Sequence, residues 1–150
     1  MNSTYEKELG KHGSFTFVNV GTSMMPLLRQ HKDLFVIEKK PGLGFRKYDV
    51  VLFKRNSGQY VLHRILKVRS SDYVLCGDNR FKLEYGVTED NMLGVMTKVI
   101  RDGVTISVTD KKYQIYVHLW CDFFYIRAAI LWIKLFLYKS KRKLRKIMAE

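Results

Sequence analysis

The chain has 150 residues, 47% of them hydrophobic and 27% charged, which suits one globular domain with a short appendage and excludes a disordered or collagen-like chain. Lys and Arg number 27 against 14 acidic residues, and the net charge of +13 points to an anionic surface or partner, nucleic acid or lipid headgroups. Two cysteines, Cys76 and Cys121, make no disulfide framework and cannot alone form a structural zinc site, so no metal or cofactor is expected.

Residues 1–14 carry Glu6, Lys7, Glu8 and Lys11 without an apolar run, and read as an N-terminal extension rather than a secretory signal peptide. From Phe15 the apolar pattern is short, β-branched and punctuated. Segments 15–20, 33–38, 49–54, 60–68, 72–76, 92–100 and 104–108 read as strands. Turn signals stand at 41–44 (PGLG), 56–58 (NSG), 77–79 (GDN) and 101–103 (RDG). Strands so closely spaced, with no helical pattern between them, predict a mostly β domain over 15–110, built of antiparallel sheets folded on each other.

The pattern changes near Lys111. Residues 113–138 lack Pro and Gly and run too long for one strand, so helix is expected there. The 22 residues from 117 to 138 would span about 33 Å as a helix, enough to cross a bilayer. Eleven Leu, Ile, Phe and Val contribute roughly −5 kcal/mol to insertion, against roughly +3 for the central Arg127. Asp122 and Lys134, nearer the ends, cost less. Spanning and surface-lying helices therefore both stay open. Arg127, Lys134, Lys141 and Arg145 share one helical face, and a basic stripe opposite Phe, Leu and Trp suits an interfacial helix on an anionic membrane. Residues 139–150 add a polybasic tail of net charge +5. The alternative is a helix covering the sheet of its own domain, with the tail solvated.

Three constellations bear chemistry. Gly21-Thr22-Ser23-Met24-Met25-Pro26 follows a strand, so Ser23 could project into a groove, with Gly21 allowing close approach of a substrate backbone. A helix N-cap serine is the competing account. In the strand around Val61-Leu62-His63-Arg64-Ile65, alternation groups Val61, His63 and Ile65 on one face and Leu62 and Arg64 on the other. An imidazole in that setting, with an ordinary pKa of about 6.5, could accept a proton at neutral pH; a packed core histidine is the alternative. Cys76-Gly77-Asp78-Asn79 ends a strand, where an acid could orient an imidazole or simply form a β-turn. Glu84 is a second candidate acid. Cys76 ends an apolar strand with no activating partner in view and does not read as a nucleophile.

Gly-x-Ser-Met-x-Pro, a strand ending His-Arg-Ile, and Gly-Asp-Asn, in this order, resemble the type I signal peptidase superfamily, related to LexA-type peptidases. The resemblance covers roughly residues 15–103. Histidine at the base position, rather than lysine, resembles the endoplasmic-reticulum branch. The resemblance implies the family's antiparallel β architecture, Ser23 as nucleophile, His63 as general base, and Asp78 as the acid, with Glu84 as the alternative. It also implies oxyanion and substrate contacts around Gly21, Thr22 and Met24. Gly21 departs from relatives that carry a serine there, and the family's N-terminal membrane helix has no counterpart in residues 1–14. The function expected is a serine endopeptidase cutting an extended leader or precursor peptide at a membrane surface. Two alternatives stand beside it: a LexA-like regulator binding nucleic acid, disfavoured by the 22 residues before Ser23 being too few for a helix-turn-helix, and an inactive membrane-docked scaffold.

Overall fold

The structure, a computed structural model, describes residues 5–39 and 44–147, with side chains as far as residue 142. Among these residues there are eight strands: β1 (Ser14–Val18), β2 (Leu34–Glu38), β3 (Val50–Lys54), β4 (Tyr60–Val68), β5 (Tyr73–Cys76), β6 (Glu84–Val87), β7 (Met92–Arg101) and β8 (Val104–Ser107). They form one sheet in the order β1-β2-β7-β3-β4-β5-β6, with β8 paired to β7 and every pairing antiparallel. Three α-helices accompany them, α1 (Tyr5–His12), α2 (Lys111–Cys121) and α3 (Phe124–Ile147), with one 3₁₀ turn at Glu89–Asn91.

Strand and helix are nearly balanced at 34% and 31%, so the fold is mixed α/β rather than mostly β. Part of the difference is α1, which lies where only an extension was expected. Its first turn carries Glu6 and Glu8 and its last Lys11 and His12, matching the helix dipole, and Gly13 at φ +70° ends it by donating to the Leu9 carbonyl. Leu9 is buried and Tyr5 packs on Phe15, Phe17 and Tyr60, so the segment belongs to the domain.

The run Val50-Val51-Leu52-Phe53 is buried throughout because both faces of β3 are covered. Val50 and Leu52 join a cluster with Met24, Leu28, Ile37, Met96 and Val117. Val51 and Phe53 face a second cluster with Ile65, Leu75 and Val87. The alternation expected in β4 holds: Ile65 and Val61 belong to the second cluster, while Leu62 packs against the first.

The C-terminal region is two helices rather than one. The chain turns at Asp122–Phe123, where the Asp122 carboxylate accepts from Tyr48 Oη at 2.5 Å and lies 3.0 Å from His118 Nδ1. Tyr113, Val117 and Cys121 put α2 into the first cluster. No helix among the described residues is long and apolar enough to cross a membrane. Of the expected turns, that at 41–44 lies outside the described residues apart from Gly44.

Candidate functional site

Ser23 sits in a loop between β1 and β2 that is pinned from beneath by polar groups. Asn19 Nδ2 donates to the carbonyls of Gly21 (2.8 Å) and Leu28 (3.1 Å). Asp33, with no solvent exposure, takes Arg29 Nε at 2.8 Å and Arg101 Nη2 at 2.7 Å, and Arg101 Nη2 also reaches the Leu27 carbonyl. Burial opposes the Asp33 charge, but the hydrogen bonds from Arg101 and Arg29 outweigh it and hold the carboxyl down at about 2. Residues 23–27 form turns and no helix starts there, so Ser23 is not a helix N-cap. Met24, expected as a substrate contact, is only 1% exposed; its side chain anchors the loop in the core and forms part of the cleft floor.

The Gly-Asp-Asn segment clasps this loop from the other side. Asn79 N–H donates to the Ser23 carbonyl at 2.7 Å, Asn79 Nδ2 to the Thr22 carbonyl at 3.1 Å, and Arg80 Nη2 to Thr22 Oγ1 at 3.2 Å. A Cβ on Gly77 would stand 2.6 Å from the Ser23 carbonyl oxygen and 3.0 Å from His63 Nε2. Only glycine fits there, and that closeness brings the histidine against the serine loop. By contrast, a Cβ on Gly21 would meet nothing nearer than Ser23 Oγ at 4.0 Å. No hydrogen bond joins Ser23 Oγ to the imidazole; such contacts often tighten only around a bound substrate.

His63 is 5% exposed, and it lines a cleft of about 760 Å³ together with Gly21, Thr22, Ser23 and Glu84. Its Nδ1 lies 2.7 Å from Glu84 Oε1 but has no aligned hydrogen-bond partner, so the carboxylate approaches off the donor direction. Burial would raise the Glu84 pKa; contacts with His63 and Arg55 overcome it and hold the carboxyl at about 2.

Asp78, the acid expected behind His63, is engaged elsewhere. Strand alternation sends Arg64 to the opposite face of β4, and Asp78 meets it there: Nε and Nη2 of Arg64 donate at 2.9 and 2.7 Å, and Tyr116 Oη donates at 2.9 Å. Arg64 and Asp78 are both fully buried, and Trp120 Nε1 caps the Asp78 carbonyl at 2.8 Å. Burial and the neighbouring Asp78 charge push the Tyr116 phenol far above its usual range, so it stays a donor. This buried pair escaped the sequence reading, although an arginine inside an apolar strand signals a hidden carboxylate. Arg55, which grips Glu84, was missed too. Burial pushes the Cys76 thiol up to about 11, in keeping with an unreactive cysteine.

Arg127 does not lie on an outer basic stripe. It is 4% exposed, its guanidinium stands 4.9 Å from the centre of the Phe124 ring, and Nη2 reaches the Arg80 carbonyl at 3.4 Å. At the start of α3 the face that carries it is turned toward its own domain. Lys134 and Lys141 are exposed, and the Arg145 side chain lies outside the described residues.

No family model, curated protein or solved structure matches this chain. What the structure defines is therefore a class: an antiparallel sheet with helices, in which one cleft gathers a serine, a histidine and a glutamate. An imidazole with a carboxylate at one nitrogen and a hydroxyl-bearing loop at the other is an arrangement suited to moving a proton.

Proposed function

We propose that the chain is a serine endopeptidase that cleaves an extended leader or precursor peptide through Ser23, His63 and Glu84, while α3 rests on an anionic membrane surface. The observation that carries this reading is the position of the His63 ring, with Glu84 Oε1 2.7 Å from Nδ1 and Nε2 facing the Ser23 loop across Gly77. In the reaction, His63 Nε2 takes the Ser23 Oγ proton as the oxygen attacks the scissile carbonyl. The same proton goes to the departing amine, leaving an acyl-enzyme. His63 then takes a proton from water as the resulting hydroxide attacks the ester, and returns it to Ser23. Glu84 stabilises the imidazolium in both halves. The oxyanion would draw on the Ser23 backbone N–H and on the Thr22 hydroxyl, whose own proton stays available while Oγ1 accepts from Arg80.

Extended substrates suit the site because β1 is the outer strand of the sheet, and Phe15, Phe17 and Val18 line the cleft. The membrane contact is supported by α3, where Trp132 and Phe136 are each 57% exposed beside the exposed Lys134 and Lys141. A fluorophosphonate probe tests the chemistry: covalent labelling at Ser23, lost in Ser23→Ala and His63→Ala, is the expected result. Substrate turnover in those variants should fall roughly 10⁶-fold. An unlabelled wild-type protein overturns the reading.

A further inference from the structure

Glu84 Oε1 is a shared oxygen. It lies 2.6 Å from Arg55 Nη2 and 2.7 Å from His63 Nδ1, while Oε2 accepts from Arg55 Nε at 2.8 Å. The guanidinium is itself held fast, because Nη1 donates to Gln59 Oε1 at 2.6 Å across the turn between β3 and β4. Both carboxylate oxygens are thus committed to the arginine in the bidentate geometry that favours Arg over Lys. The buried His63 Nδ1 is left without an aligned acceptor although a carboxylate touches it.

We propose that Arg55 is a positioning residue that governs the proton affinity of His63, gripping both oxygens of Glu84 and competing with Nδ1 for the shared one. This deepens the peptidase reading and rests on it. A bare glutamate beside an imidazole favours the imidazolium, which cannot serve as a base. A glutamate partly neutralised by an arginine still orients the ring but attracts the proton less, so the ring stays free to accept one from Ser23. Other charged groups do not take this part. Arg80 and Lys82 line the same cleft from the β5–β6 connection and add only positive potential. Arg64 and Asp78 lie behind the sheet and neutralise each other, the Cys76 thiol is uncharged, and Phe53, 6.1 Å from the imidazole, carries no charge.

The test is the protonation midpoint of the His63 imidazole, followed by NMR in the full chain carrying Ser23→Ala, with the signal assigned by its loss in His63→Gln. Adding Arg55→Gln should raise that midpoint by roughly one pH unit, and Arg55→Lys should raise it by roughly half as much. Glu84→Gln should lower it. In the Glu84→Gln background, removing Arg55 should have less than about half its former effect, because the freed guanidinium swings into water. A midpoint that stays within about 0.3 units in Arg55→Gln, or an equal displacement in both backgrounds, overturns the proposal. Should Arg55→Gln fail to fold, Arg55→Lys decides alone, and an unmoved midpoint there counts against it. The readout needs no turnover, so an unlabelled Ser23 would sink the peptidase reading and leave this measurement standing.

Discussion

Neighbouring residues on β4 meet two acids in opposite ways. Arg64 turns to the sealed face and finds Asp78 with every hydrogen bond aligned, closed over by Tyr113, Tyr116 and Trp120. His63 turns to the cleft and finds Glu84 close but off-line, with solvent near and a rival cation on the same oxygen. The saturated pair is what a folded chain needs in order to keep two charges away from water. The unsaturated one is what a proton carrier needs, since a group whose bonds are all satisfied gains little by changing its protonation state. Alternation along a single strand thus separates structural from chemical ionisation by one residue.

The contrast breaks most visibly through Glu84→Gln. Turnover should fall about 10⁴-fold, the scale for removing the acid that orients a catalytic histidine, while stability falls less than it does when the buried Asp78 is removed. Next comes Asp78→Ala, which strands Arg64 without its partner. Denaturant unfolding should register a loss of about 3–5 kcal/mol, and Arg64→Met combined with Asp78→Leu should recover most of it. The reverse pattern, a stable Asp78→Ala and an unfolded Glu84→Gln, would exchange the two roles. The smallest effect is on acid stability. Glu84 and Asp33 are both held at about 2, below their ordinary values of 4.5 and 3.8. A depressed folded-state pKa contributes stability in full above the ordinary value and loses it as pH falls toward the lowered one. Unfolding should therefore set in between about pH 4.5 and 2, and Glu84→Gln, which leaves no carboxyl to titrate at that position, should make that limb shallower.

Much of the sheet was legible because its strands are β-branched and bounded by Gly, Asn and Asp; β4 runs from Tyr60 to Val68 as its pattern predicts. β6 was not, since Glu-Tyr-Gly-Val offers no alternation and its position is set by pairing with β5. The serine and histidine were readable from local order. The partner of the histidine was not, because the choice between Asp78 and Glu84 depends on which side of the sheet the connection after β5 emerges. For Arg127 a helical stripe gave the spacing of the basic residues but not which face the domain would cover.

Because Tyr113, Tyr116 and Trp120 stand after residue 110, the boundary drawn there cuts through the cage around the Arg64–Asp78 pair. A protein stopped at residue 112 would lose phenols and indole together, so any loss of vesicle binding in it would report unfolding as much as a missing anchor. Ending the chain after Leu131 removes a stretch in which residues 132–139, 141 and 142 are exposed and spares the cage, so lipid binding and catalysis become separable measurements.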